Sequence, residues 1–246
     1  MPPRSIAACL GLLGLLMATQ AAASISLNAT RIVFDGDHKE ANITVRNGNQ
    51  DVLIQSWVDM NDASASRAPF AVTPPLARVF AKEQQLLRIL YEGTGMPTDR
   101  ESVVWLNVQE IPKASEAENT LQLAIRQRIK IFYRPAGLTG SALQAPAQLE
   151  WTLAKHGSQT LLQVKNPTLY HVSMADIKVQ AVLASDSTMI APGEQKQFAL
   201  SAPVASGPVQ LSFSSINDYG AQNHYSAPLT SGTALPAHAT ESRLNP

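Results

Sequence analysis

Leu121-Gln-Leu-Ala-Ile-Arg-Gln-Arg-Ile-Lys-Ile-Phe-Tyr133 decides the fold class. Its odd positions read Leu121, Leu123, Ile125, Gln127, Ile129, Ile131 and Tyr133; its even positions read Gln122, Ala124, Arg126, Arg128, Lys130 and Phe132. This alternation gives an extended chain one almost wholly apolar face and one mostly polar or basic face, the pattern of a strand. Thirteen residues at about 3.3 Å each reach roughly 43 Å, whereas strands usually run to five or six residues. Covering the domain's own core explains part of that length. An apolar remainder is an aggregation hazard unless a partner strand docks on it.

The same alternation recurs along the chain, in Ala41–Arg46, Leu53–Val58, Val103–Val108, Leu149–Leu153, Thr160–Val164, Ile177–Val182 and Val209–Phe213. Turn signals separate these runs: Asp35-Gly36, Asn47-Gly48, Pro74-Pro75, Asn166-Pro167, Pro192-Gly193 and Gly207-Pro208. Many short strands at this spacing predict an all-β protein of antiparallel sandwiches, with too many strands for one seven-stranded sandwich and about enough for two. Alternation lapses over Arg134–Pro146, where Pro and Gly collect as in a linker. The expected domains are therefore 24–140 and 141–228. Small and polar residues over 229–246 predict a disordered tail.

A basic start, Met1-Pro-Pro-Arg4, precedes the apolar stretch Ile6–Ala18 and the small residues Ala21-Ala22-Ala23. That is the layout of an export signal over 1–23, cleaved after Ala23, and the apolar run is short for a membrane span. Cys9, the one cysteine, lies inside it, so the mature chain has no thiol or disulfide chemistry. The 19 basic residues balance 19 acidic ones, which argues against nucleic-acid binding. No metal or cofactor motif stands out. Asp35, Asp37 and Glu40 cluster at a turn but lack the full loop pattern of a Ca²⁺ site. His38, His156, His171, His224 and His238 form no ligand spacing and read as surface or loop residues, and neither GxSxG nor GxxxxGK[ST] occurs. An enzyme is not expected.

Six segments occur in an order that carries a family resemblance: Thr30–Gly36, Val72-Thr-Pro-Pro75, Asp99-Arg-Glu-Ser102, Leu106–Pro112, Arg128–Pro135 and Ile216-Asn-Asp-Tyr-Gly220. Together they resemble the PapD-like periplasmic chaperones of the chaperone–usher pathway, from about Ser24 to about Gly220. The short segment Pro112–Thr120 resembles the branch that assembles rod-like pili. The resemblance implies two immunoglobulin-like sandwiches in an L or boomerang arrangement. It also implies binding of pilus subunits by strand donation and their delivery to an outer-membrane usher. By that match Leu121, Leu123 and Ile125 would enter the subunit's groove. Arg31 and Lys130 would anchor its C-terminal carboxylate, and Glu101, Arg134 and Asp218 would form an ion cluster between the domains. Self-association through the exposed edge, when no subunit is bound, is a further expectation.

The rival reading is a pilus subunit or an immunoglobulin-like adhesive module. A subunit ends in an apolar strand, whereas this sequence places its long apolar strand mid-chain, before a linker, and follows it with a Pro/Ala/Ser-rich tail.

Overall fold

A computed structural model describes residues 25–60, 67–112, 123–157, 159–202, 204, 207–230 and 237–242. Among these residues, nine strands build the first sandwich: β1 (Ile25–Leu27), β2 (Arg31–Asp35), β3 (Glu40–Asn47), β4 (Val52–Asp59), β5 (Phe70–Thr73), β6 (Leu76–Val79), β7 (Gln84–Tyr91), β8 (Ser102–Ile111) and β9 (Arg126–Arg134). They form two sheets, ordered β1-β3-β7-β5 and β2-β9-β8-β4-β6. Alternate side chains of both sheets, among them Ile43, Ile54, Leu87, Leu106 and Ile131, fill the space between them. At one end Phe34, Phe70, Tyr91 and Tyr133 pack as an aromatic group, with ring centroids 4.7–6.3 Å apart.

The second sandwich contains β10 (Glu150–His156), β11 (Gln159–Lys165), β12 (Val172–Val179), β13 (Val182–Ile190), β14 (Gln195–Ala199), β15 (Pro208–Ile216), β16 (Gln222–Thr230) and β17 (Thr240–Ser242). Its sheets are β10-β11-β14 and β13-β12-β15-β16-β17. Trp151, Leu153, Leu162, Met174, Leu211 and Phe213 belong to a core that shares no residue with the first. Two cores of this kind make two domains. Asn166 is buried at the Asn-Pro turn, where its side-chain amide donates to the carbonyls of Tyr170 (2.7 Å) and Ala191 (3.1 Å), so the turn's backbone acceptors stay paired.

Three sequence expectations need correction. The apolar run from Leu121 is not one strand: β9 begins at Arg126, and Leu123–Ile125 lie outside any strand. The last rung is the Glu110 N–H donating to the Ile125 carbonyl at 2.9 Å, close to where β8 ends. The alternation over Ile177–Val182 spans a turn, with Gln180 at φ 56° between β12 and β13. Periodicity alone cannot reveal that reversal.

The tail expected to be disordered over 229–246 is ordered where it is described. Leu229 and Thr230 complete β16, and Ala237 exchanges two backbone hydrogen bonds with Trp151 (2.9 and 2.8 Å). Ala239 is buried, and Thr240–Ser242 pair with β16. Sheet edges supply the unpaired backbone groups, and small side chains let the segment lie close to them. Residues 231–236 and 243–246 of that tail, the expected signal over 1–23, and Leu121 lie outside the described residues.

Candidate functional site

Strand β9 is flanked unequally. On one side β8 pairs with it from Gln109↔Arg126 to Ser102↔Tyr133. On the other, β2 runs parallel to it and covers only Lys130 to Arg134, beginning at Arg31↔Lys130. Among the described residues, no strand lies beside Arg126–Ile129 on that flank. The Gln127 side chain reaches across, donating to the Ile25 carbonyl at 2.8 Å. A row of backbone donors and acceptors is thus open to a further strand.

The odd face of this segment leaves the core by stages. Ile131 is 0% exposed, Ile129 packs partly against the core, Ile125 is 43% exposed and Leu123 is 71% exposed. The even face bears Arg126, Arg128 and Lys130, then the buried Phe132, whose ring lies 6.2 Å from that of His171 in the second domain. Phe132 is the apolar exception on that face because a second domain covers it there.

Arg31 and Lys130 are direct register partners where the open flank ends. The Arg31 Nη1 donates to the Ile216 carbonyl across the domain boundary at 3.0 Å, while its Nε is buried without a hydrogen-bond partner. The Lys130 Nζ stands 5.6 Å from the Trp105 ring centroid, and the Arg31 guanidinium stands 5.8 Å from that of Phe132. Among the described residues, neither cation has a carboxylate within 4.0 Å. Burial, and then the neighbouring charge of Arg31, hold the Lys130 ammonium below its ordinary pKa. Burial also lowers that of Arg31, partly offset by the charge of Asp218. Two half-buried cations side by side are an unfavourable pair that an incoming anion relieves. Arg31 also lines a cavity of about 200 Å³ between the domains, together with Phe132, His171, Ile216 and Tyr219 among others.

Glu101, Arg134 and Asp218 meet at the domain boundary. The Arg134 Nε donates to Glu101 at 2.7 Å, while Nη1 and Nη2 bind both oxygens of Asp218 at 2.8 and 2.7 Å. Glu101 is 1% exposed, and its second oxygen accepts the His171 backbone N–H at 2.8 Å. His171 does lie in a loop, just ahead of β12, but its ring is largely covered and not at the surface, with Nδ1 3.1 Å from that same oxygen. Its spacing to Glu101 in the chain is 70 residues, so no local pattern could have found it. The backbones also approach closely nearby: a Cβ on Gly220, at φ +84°, would lie 2.8 Å from the Thr30 hydroxyl.

An open strand flank thus ends at a cation pair, beside a domain boundary braced by an ion cluster. Residues 24–139 match the family model described as "Pili and flagellar-assembly chaperone, PapD N-terminal domain". Residues 144–227 match "Pili assembly chaperone PapD, C-terminal domain". The chain belongs to the PapD-like chaperone family. It is 39% identical over 204 residues to a probable fimbrial chaperone LpfB of Escherichia coli O157:H7, covering 81% of this chain and 85% of that protein. With the chaperone FimB/FhaD of Bordetella pertussis it shares 37% identity over 226 residues, covering 86% and 90%. The crystal structure of the YadV chaperone superposes with a TM-score of 0.71 at 36% identity, covering 84% of this chain and all of that one. A Salmonella enterica structure of the SafA pilin in complex with the SafB chaperone matches with TM-score 0.71 at 31% identity, covering 86% and 97%. This PapD-like chain is accordingly a chaperone of pilus assembly and not an enzyme. Both halves match chaperone models, which leaves the subunit reading without support.

Proposed function

We propose that this PapD-like chaperone is exported to the periplasm, with its signal removed after Ala23. There it holds a pilus subunit by lending the open flank of β9 to an unfinished subunit sandwich. Leu121, Leu123 and Ile125 would enter the subunit's groove. Each apolar side chain so buried is worth on the order of 1.5–3 kcal/mol before ordering costs. The subunit's C-terminal carboxylate would lie between Arg31 and Lys130, and its last strand would run parallel to β9, in line with β2. The cluster of Glu101, Arg134 and Asp218 would keep the cleft at a fixed width. Handing the bound subunit to an outer-membrane usher completes the proposed cycle.

One observation carries the reading: the cation pair lies in register at the point where β2 starts and the open flank of β9 stops. A carboxylate fixed there sets which residues of the incoming strand face the groove, since a one-residue slip would turn its apolar set away.

Co-expression with a pilus subunit encoded beside the chain, followed by co-purification, tests it. Arg31→Ala should lose about 2–5 kcal/mol of binding, the scale of a broken buried charge contact, and so release the subunit. A subunit lengthened by a few residues beyond its own C-terminus should also fail to co-purify. Undiminished recovery of the lengthened subunit would show that the carboxylate is not what the cations hold.

A further inference from the structure

The family models stop at residue 227, yet the chain goes on to form structure. Ala237 bridges to Trp151 on β10, the outer strand of one sheet, and Thr240–Ser242 pair antiparallel with His224–Ser226 on β16, in the other sheet. Between these two contacts Ala239 is buried. The Asn223 side-chain amide donates to the Glu241 carboxylate at 2.8 Å, and the Ser242 hydroxyl donates to the His224 carbonyl at 3.3 Å. One short segment thus fastens onto both sheets of the second sandwich.

Strand β16 explains why such a fastening is useful. Its sequence, Gln-Asn-His-Tyr-Ser-Ala-Pro-Leu-Thr, contains no Asp, Glu, Lys or Arg. Tyr225, Ala227 and Leu229 point into the core, so the strand is long, uncharged and half apolar. Proteins rarely leave such an edge bare, because it is a template for another copy of itself. Beyond β16, β17 is three residues long, wholly exposed and carries Glu241 at its middle position. The central stretch of that neutral edge, His224–Ser226, is thereby covered by a short, charged strand.

We infer that residues 237–242 form a built-in strand cap, which keeps β16 from pairing antiparallel with β16 of a second copy of this chain. The antiparallel sense is the one β17 already uses, and the isologous pairing it allows closes as a twofold dimer.

Sedimentation equilibrium over a range of concentrations tests this, with every protein carrying Leu123→Glu so that the flank of β9 does not contribute. The full-length chain should remain a monomer. A chain ending at Thr230 should show its weight-average mass double as concentration rises. Adding Ser226→Lys to that shortened chain should restore the monomer, since residue 226 is the midpoint of β16 and a symmetric pair would set two lysines opposite each other. Ala237→Pro in the intact chain removes the N–H that donates to Trp151 and should shift the equilibrium the same way, which decides the matter if the shortened chain does not fold. A monomer in both uncapped proteins, or association indifferent to Ser226→Lys, overturns the inference.

Discussion

Lys130 holds its charge at a cost, which gives it a pH signature. Burial comes first and the adjacent Arg31 second in pulling its pKa below 10.5. The unfolded chain keeps the proton up to the ordinary value, so folding stability rises with pH between the depressed pKa and 10.5. Carboxylate binding has the opposite sign: it needs the ammonium and is lost as pH rises through the depressed value. Affinity for a subunit should therefore fall at alkaline pH before an ordinary lysine would lose its proton, while the free chaperone's melting temperature gains from the Lys130 titration. Titration calorimetry at rising pH is the check, and Lys130→Arg should remove the alkaline decline. An affinity flat in pH for the wild type would mean that Lys130 does not contact the anion.

The segment before β9 and the strand itself should respond oppositely to substitution. Leu123→Glu changes an exposed side chain, so stability to urea should stay within about 0.5 kcal/mol of the wild type while subunit binding falls. Ile131→Ala, eight residues further along, opens a cavity in a filled core and should cost about 2–5 kcal/mol. Parallel losses of stability in both variants would place Leu123 in the domain core. How far these elements were legible follows from the same contrast. Alternation in Ala41–Arg46 and Val103–Val108 reflects burial on one side of a sheet, so β3 and β8 can be read from sequence. Strand β9 is legible as strand but not in extent, because alternation reports which face is apolar and not where neighbours stop pairing. The residues just ahead of it, Leu123–Ile125, continue the apolar pattern outside any strand, although the Ile125 carbonyl still accepts from Glu110 of β8. The tail went unread because Ala237 and Thr240–Ser242 pair through backbone, which leaves no mark in composition. Arg31 and Lys130 are 99 residues apart by number, and residue order alone does not reveal that they are register partners. Only the matched motifs brought them together.

Between the domains, Arg134 ties two carboxylates from different sandwiches. Burial works against its charge, but the hydrogen bonds and charges of Asp218 and Glu101 outweigh it and hold its pKa above the ordinary value. Arg134→Ala leaves Glu101 buried without that cation. It should cost about 3–5 kcal/mol in denaturant unfolding and broaden the small-angle scattering profile as the domains lose their brace. Arg134→Lys should recover only part of this, since one ammonium cannot match the fork that spans both partners. An unchanged scattering profile for the alanine variant would mean that other contacts set the domain angle. The parallel course of β2 has a consequence for timing. Because β2 already occupies the lane ahead of the two cations, a polypeptide with more residues to come would run into it. Under the proposed mechanism, a subunit still emerging from export has no terminus to present and is ignored until synthesis and passage are finished. A fragment cut short presents a terminus but the wrong side chains behind it. The chaperone would thus verify completeness before committing to a client.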